Sequence, residues 1–319
     1  MTPPEPSCNV GTVSEFGEES PLEPRRLPHL AFDAACRLSA ALPPGTRRAL
    51  ARTLSRAQYR VDRRRREAVH ANLRALADGG HAALRDARVR ERTAREIFES
   101  YLAFLLEYLA QRRLDAGAIG ERIRFRGMEL LYAALARGRG AILAVPHLGN
   151  WEIAGLVLAR LGFPIHVVTG VQFHASVSRA ARAAKERASI LVSTPEDGFL
   201  PLLHTLRAGG IVVLLTDGDV YARALPAPFF GRTIPFPAGP ALLARRSGAP
   251  LLHAHAECVG VDRLLLSVDG RDDSDRALPL AEDLARLTAC VAAAQERAIA
   301  AHVGQWCIFR PLFEGSDAA

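Results

Sequence analysis

The feature that most constrains this chain is a change of rhythm after Gly127. From there, short β-rich runs alternate with helical ones: "AILAV" (141–145), "IHVVT" (165–169), "ILVS" (190–193) and "IVVLLT" (211–216). Helical stretches fall between them near 152–161, 175–187 and 197–207, and a long helix over 280–301 closes the series. Continuous apolar runs joined through helices predict a largely parallel sheet flanked by helices on both faces, an α/β fold. "LLHAHAECV" (251–259) and "RLLLSV" (263–268), joined by "GVD", predict an antiparallel hairpin at one edge. Sheets of this kind bind ligands beyond the carboxyl ends of their strands. His147 and Asp217 each stand just past such an end.

Ahead of the sheet, residues from about Leu27 to Arg113 read as helical. The expected organisation is a disordered tail (1–26), a helical N-terminal region (27–126) and an α/β core (127–319) that forms one catalytic domain with the helices. "PPGTRRALARTLSRAQYR" offers a Pro-Gly break followed by Thr46 as an N-cap. The run Arg63–Arg66 reads as a solvated helix face or as a phosphate contact. "AREIFESYLAFLLEYLAQRR" carries Ile97, Phe98, Tyr101, Leu102, Leu105, Tyr108 and Leu109 at helical spacing. Most of that stripe is expected in the core, with a remainder to line a lipid groove or rest on a membrane.

Composition bounds the partners. A chain of 319 residues buries a large core without a disulfide or metal staple. Its five cysteines form no CxxC pair, which points to free thiols in a reducing compartment. The net charge is +7, and Lys185 is the single lysine among many arginines. Arginine grips carboxylates and phosphates bidentately, so anionic partners are favoured, among them an anionic membrane surface. A nucleic-acid partner is not expected. No apolar run approaches the roughly 20 residues of a membrane span, nor does a signal peptide open the chain. The expectation is a soluble or membrane-peripheral protein.

"VPHLGNWEIAG" (145–155) concentrates the chemistry. Positions five apart on one helix point about 140° apart, so His147 and Glu152 share a site only with His147 on the loop and Glu152 in the first turn. A carboxylate near an imidazole raises its basicity and can fix its tautomer, which suits deprotonation of a hydroxyl. Asp217, in "TDGDV", is a turn cap or a second carboxylate able to orient His147. There is no HExxH, GxSxG or P-loop motif. His253 and His255 share a strand face with Cys258 nearby, a weak metal candidate that lacks a third ligand. A metal-dependent hydrolase on those histidines and a non-catalytic membrane-binding module are the rival readings.

"GMELLYAALARGRGAILAVPHLGNWEIAG" resembles the first block of the bacterial late acyltransferases of lipid A biosynthesis, and of relatives that acylate phosphatidylinositol mannosides. "GIVVLLTDGD", "FFGRTIPFPAGPALLARRSGAPLL" and "QWCIF" are similar to later blocks, so the likeness runs from about Arg63 to Phe313. It implies acyl transfer from a thioester to a glycolipid hydroxyl of the lipid A type, or alternatively of the phosphatidylinositol mannoside type. His147 matches the catalytic histidine, Glu152 its H-x4-E partner, and Asp217 a further acid paired with the histidine. Arg187 falls where the family keeps an arginine near the acceptor. With Gly149 and Asn150, whose backbone N–H groups are oxyanion candidates, it forms the expected substrate-binding set. The resemblance implies acyl carrier protein or coenzyme A as a consumed donor, with no metal or bound cofactor. The arginine-dense helices and the lack of a long apolar run make a peripheral position on the cytoplasmic face of the bacterial inner membrane the expectation. Two departures stand out: Asp217-Gly218-Asp219 replaces the usual Asp-Gln-Asp, and the usual N-terminal membrane helix has no counterpart.

Overall fold

In the computed structural model, which describes residues 27–111, 114–169, 175–217 and 224–314, the apolar runs become strands. The tail expected over 1–26 lies outside the described residues. The strands are β1 (Ile123–Arg126), β2 (Ala141–Val145), β3 (Ile165–Val168), β4 (Leu191–Ser193) and β5 (Ile211–Leu215), then β6 (Ala224–Phe229), β7 (Arg232–Pro237), β8 (Leu251–Gly260) and β9 (Arg263–Asp272). Among the described residues, seven of these form one sheet in the order β1-β9-β8-β2-β5-β3-β4. Neighbours pair in parallel except β8 with β9. The expected hairpin is therefore present but is not the edge, because β1 adds beyond β9. The "IRFR" of β1 buries only Ile123 and exposes the rest, so it lacks the apolar run that marked the inner strands.

The central strand β2 is buried at all five positions. Its period of two sends Ile142 and Ala144 into one core and Ala141, Leu143 and Val145 into the other. One core is closed by α3 (Arg63–Asp78), α4 (Ala87–Leu109), α10 (Gly239–Ser247) and α11 (Leu280–Ala301), through Leu73, Phe98, Leu243 and Val291 among others. The opposite core is closed by α6 (Met128–Leu135) and α7 (Trp151–Arg160), through Leu131, Ile153 and Val157. The remaining helices are α1 (Leu27–Ala41), α2 (Pro44–Val61), α5 (Ala116–Arg122), α8 (Ala175–Arg187) and α9 (Leu200–Arg207). None of the helices is long and apolar enough to cross a membrane among the described residues.

Local chemistry sets the helix starts. Asp62 caps α3 by accepting from Arg65 N, and Asp86 caps α4 by accepting from Arg88 N. Thr46 is not the cap of α2; the helix begins at Pro44, whose fixed φ suits the first turn, and Thr46 lies inside it. Three arginines of the Arg63–Arg66 run have partners within the chain. Arg63 pairs with Glu67, Arg65 lies over the rings of Tyr101 and Phe309, and Arg66 donates to the carbonyls of Tyr59 and Arg60. Along α4, Ile97, Phe98 and Tyr108 are buried as expected, joined by Phe104, while Tyr101, Leu102, Leu105 and Leu109 are half-buried.

The helical region is tied to the sheet by specific polar contacts. Arg47 of α2 is buried and donates to Asp262 at 2.8 Å, in the two-residue turn between β8 and β9. Asn72 of α3 both donates to Arg310 O and accepts from Leu312 N, pinning the C-terminal segment. The "FFGRTIPFP" stretch forms a separate β6–β7 hairpin whose Phe229 and Phe236 are fully buried. Four prolines sit in this hairpin, outside the main sheet, where missing ladder donors cost little.

Candidate active site

Register explains why His147 and Asp217 meet. Strands β2 and β5 are parallel neighbours, with Val145 opposite Leu215. Two residues further along each chain, His147 and Asp217 leave the sheet side by side. His147 Nδ1 lies 2.7 Å from Asp217 Oδ1, and the His147 backbone N–H donates to Asp217 Oδ2 at 2.8 Å. The indole N–H of Trp306 donates to the same Oδ2 at 2.7 Å. Asp217 is 1% exposed, so water does not compete for these bonds.

Two consequences follow for protonation. Burial pushes the Asp217 carboxyl up, but the facing imidazole, the Trp306 N–H and the backbone N–H outweigh it, and the net shift is down. The carboxylate is thus ionised near neutrality and can only accept hydrogen bonds. In the neutral imidazole Nδ1 therefore carries the proton, and the lone pair lies on Nε2. The His147 side chain is 21% exposed, enough for a substrate hydroxyl to approach. An imidazole with a fixed tautomer, a buried counter-charge and an open face is the outcome.

The loop carrying His147 is held on both sides. Cys307 N donates to His147 O at 2.9 Å, Leu148 bridges to Trp306, and Gly149 N donates to Gln305 O at 3.1 Å. Gly149 adopts φ +60, and a Cβ there would lie 2.1 Å from Ala256 O of β8. Only glycine fits this crossing. Asn150 ends the loop and caps α7, accepting from Ile153 N at 3.1 Å, while its amide donates to Glu107 Oε2 at 3.0 Å. Both halves of the Asn150 side chain are thus engaged in the fold. The Gly149 N–H, expected as an oxyanion donor, is likewise already engaged.

Glu152 goes elsewhere. Its carboxylate accepts from Lys185 Nζ at 2.9 Å, a nearly dry pair that links α7 to α8. No hydrogen bond joins Glu152 to His147 among the described residues. The helix begins at Trp151, and successive helical residues diverge by about 100°. Trp151 therefore flanks the imidazole edge-on, at 5.1 Å between centroids, and Glu152 turns away. Arg187 is exposed at the end of α8, where it lines a cleft of about 400 Å³ with Gln111 and Arg160. Gly218 and Asp219 lie outside the described residues.

The contacts also reveal residues that sequence reasoning left unassigned. Trp306 and Gln305 carry the back wall; only the "QW" likeness hinted at them. Glu107 is an acid set among the apolar residues of α4, and burial pushes its carboxyl up despite Asn150 and the nearby Arg47 and Arg122. From Trp151 an aromatic row leads away from the imidazole: Trp151 stacks on Phe104 at 4.4 Å, Phe104 on Tyr101, and Tyr101 meets Phe309. The two histidines of the rival metal reading do not converge. His253 turns to Asp272 and His255 to Asp269, and a register shift in the hairpin falls between them.

Comparison with known proteins bears on this geometry. The family model described as bacterial lipid A biosynthesis acyltransferase matches residues 20–314. The chain belongs to that family. Relatives of the family resemble it over a shorter stretch. It is 31% identical over 173 residues to a phosphatidylinositol mannoside acyltransferase of Mycolicibacterium smegmatis, covering 53% of this chain and 57% of the relative. It is 30% identical over 193 residues to the protein of that name in Mycobacterium tuberculosis, covering 58% of each. The matched stretch thus spans little more than half the length of these relatives. The resemblance read in the "VPHLGNWEIAG" blocks holds across most of the chain.

Proposed function

We propose that the chain transfers a fatty acyl group from a thioester, carried by acyl carrier protein or coenzyme A, to a hydroxyl of a glycolipid. The observation that carries this reading is the His147–Asp217–Trp306 unit: a base of fixed tautomer, open on one side, in a member of an acyltransferase family. His147 Nε2 takes the proton of the acceptor hydroxyl as its oxygen attacks the thioester carbonyl. The tetrahedral intermediate expels the thiolate, which recovers that proton from the imidazolium, so an ester and a free thiol are the products. Asp217 stabilises the transient positive charge without itself taking the proton, as in a triad lacking the serine. Glu152 acts one step back, through Lys185 and the α7–α8 contact. The aromatic row beside Trp151 suits an acyl chain, and Arg187 with Arg160 suits an anionic headgroup.

The names of the relatives favour a mannosylated phosphatidylinositol over a lipid A precursor as acceptor. An arginine-rich chain of net charge +7 suits peripheral attachment to an anionic bilayer, on the cytoplasmic face where thioester donors are made. The test is a matrix of purified protein with palmitoyl-coenzyme A or palmitoyl-acyl carrier protein against both acceptors, read by lipid mass spectrometry. Acylation of the mannosylated lipid with release of free thiol is expected. Thiol release without any acylated lipid would show a hydrolase, and acylation of the lipid A precursor alone would reverse the acceptor.

A further inference from the structure

Near the point where Gly149 of the His147 loop crosses β8 at Ala256 and Glu257, three side chains converge that acyl transfer does not use. His255 and Glu257 lie two apart on β8, and His302 follows the last turn of α11. One ligand atom from each lies within 4.8 Å of the others. His255 and Glu257 are buried, while the His302 side chain is 31% exposed and gives access from solvent. We propose that these three residues bind a divalent zinc ion.

The donor chemistry supports zinc over the harder cations. Two imidazoles and one carboxylate, with a fourth position left to water, match its preferences, whereas magnesium and calcium take oxygen donors. Imidazoles sharing one ion have ring centroids about 5–6 Å apart, given Zn–N bonds of about 2.0–2.1 Å. The His255 and His302 centroids are 6.1 Å apart. The surroundings agree. A metal-bound histidine usually presents its other nitrogen to a carboxylate. His255 Nδ1 lies 2.6 Å from Asp269 Oδ2, and neither of its buried ring nitrogens makes a hydrogen bond of good geometry among the described residues. Glu257 and His302 touch directly, and an ion between them exchanges that contact for two metal bonds.

The position gives such an ion work to do. Three residues after His302, the Gln305 amide spans Cys258 of β8, accepting from its N–H at 2.7 Å and donating to its carbonyl at 3.0 Å. Trp306, next in the chain, holds Asp217. Zinc would therefore brace the wall that positions the base, and its presence does not depend on which acceptor the enzyme uses.

The test uses the full chain, stripped with a chelator and then titrated with zinc by calorimetry and with cobalt by visible absorption. One zinc per chain and the intense d–d bands of four-coordinate cobalt are expected. His302→Ala should abolish both signals, and Asp269→Asn should weaken affinity about 10–100-fold as an outer partner. His204→Ala, at a histidine on α9 outside the cluster, should leave both unchanged. Absence of stoichiometric binding by the wild-type chain would show that the cluster is an ion-pair network only. Binding that survives His302→Ala would place the ion elsewhere. Either result overturns the proposal.

Discussion

Replacing Asp217 by asparagine changes one heavy atom, an oxygen for an NH2 nitrogen, and tests the protonation argument. The Oδ2 position receives two donors, the His147 backbone N–H and the Trp306 indole, whereas Oδ1 receives only the imidazole. An asparagine with its oxygen at the Oδ2 position satisfies both of those donors. Its NH2 group then faces His147 Nδ1. The reverse orientation points the NH2 at two buried N–H groups, and each unsatisfied donor costs about 1–3 kcal/mol. The first orientation therefore wins by roughly 2–6 kcal/mol. In it, Nδ1 must accept, the proton moves to Nε2, and the base is lost. A general base contributes about 10²–10⁴-fold, so turnover should fall within that range. Charge-assisted bonds exceed neutral ones by about 1 kcal/mol each, so the fold should lose no more than a few kcal/mol. Initial rates of acyl transfer read the first effect, and ¹⁵N chemical shifts of His147 read the tautomer. The double variant with His147→Ala should be no slower than His147→Ala alone, because residues acting as a unit are non-additive. Retention of more than about a tenth of the rate, or multiplicative losses in that cycle, would refute the reasoning.

Other substitutions test the supporting structure. Burial raises the Glu107 carboxyl, so its ionised form costs stability at neutral pH, and Glu107→Gln should equal or exceed wild type in Tm at pH 7.5. That advantage should shrink as pH falls and vanish below the unfolded carboxyl value of about 4.3; a lower Tm at neutral pH would contradict it. Lys185→Met leaves Glu152 as an uncompensated buried charge and should cost about 3–5 kcal/mol in denaturant unfolding. Adding Glu152→Gln should restore most of that loss, and a single-variant cost below about 1 kcal/mol would show the pair to be solvated.

The inner strands were legible because strands buried on both faces are written as unbroken apolar runs, as in "AILAV" and "IVVLLT". β1 and the β6–β7 hairpin were not. "IRFR" exposes its arginines at an edge, and "ALPAPF" carries prolines that argue against a strand. The same division runs through the site. His147 and Asp217 stood out because both follow strand ends, and parallel register brings strand ends together. The proximity of Glu152 to His147 in sequence suggested a partnership that helix geometry redirects, since Trp151 occupies the place beside the ring. Lys185, Glu107 and Trp306 act through contacts 33, 43 and 89 residues away, to which local pattern is blind. His302 completes the candidate metal cluster from the far end of α11, which is why His253 and His255 looked like a pair short of a ligand.

The central claim is that His147 Nε2 removes the acceptor proton. Single-turnover acyl transfer by folded His147→Ala tests it most directly, with Tm and donor binding measured on the same sample. A rate reduced by about 100-fold or more, with both controls unchanged, is the expected result. A folded variant that binds donor and still transfers at more than about a tenth of the wild-type rate would contradict it.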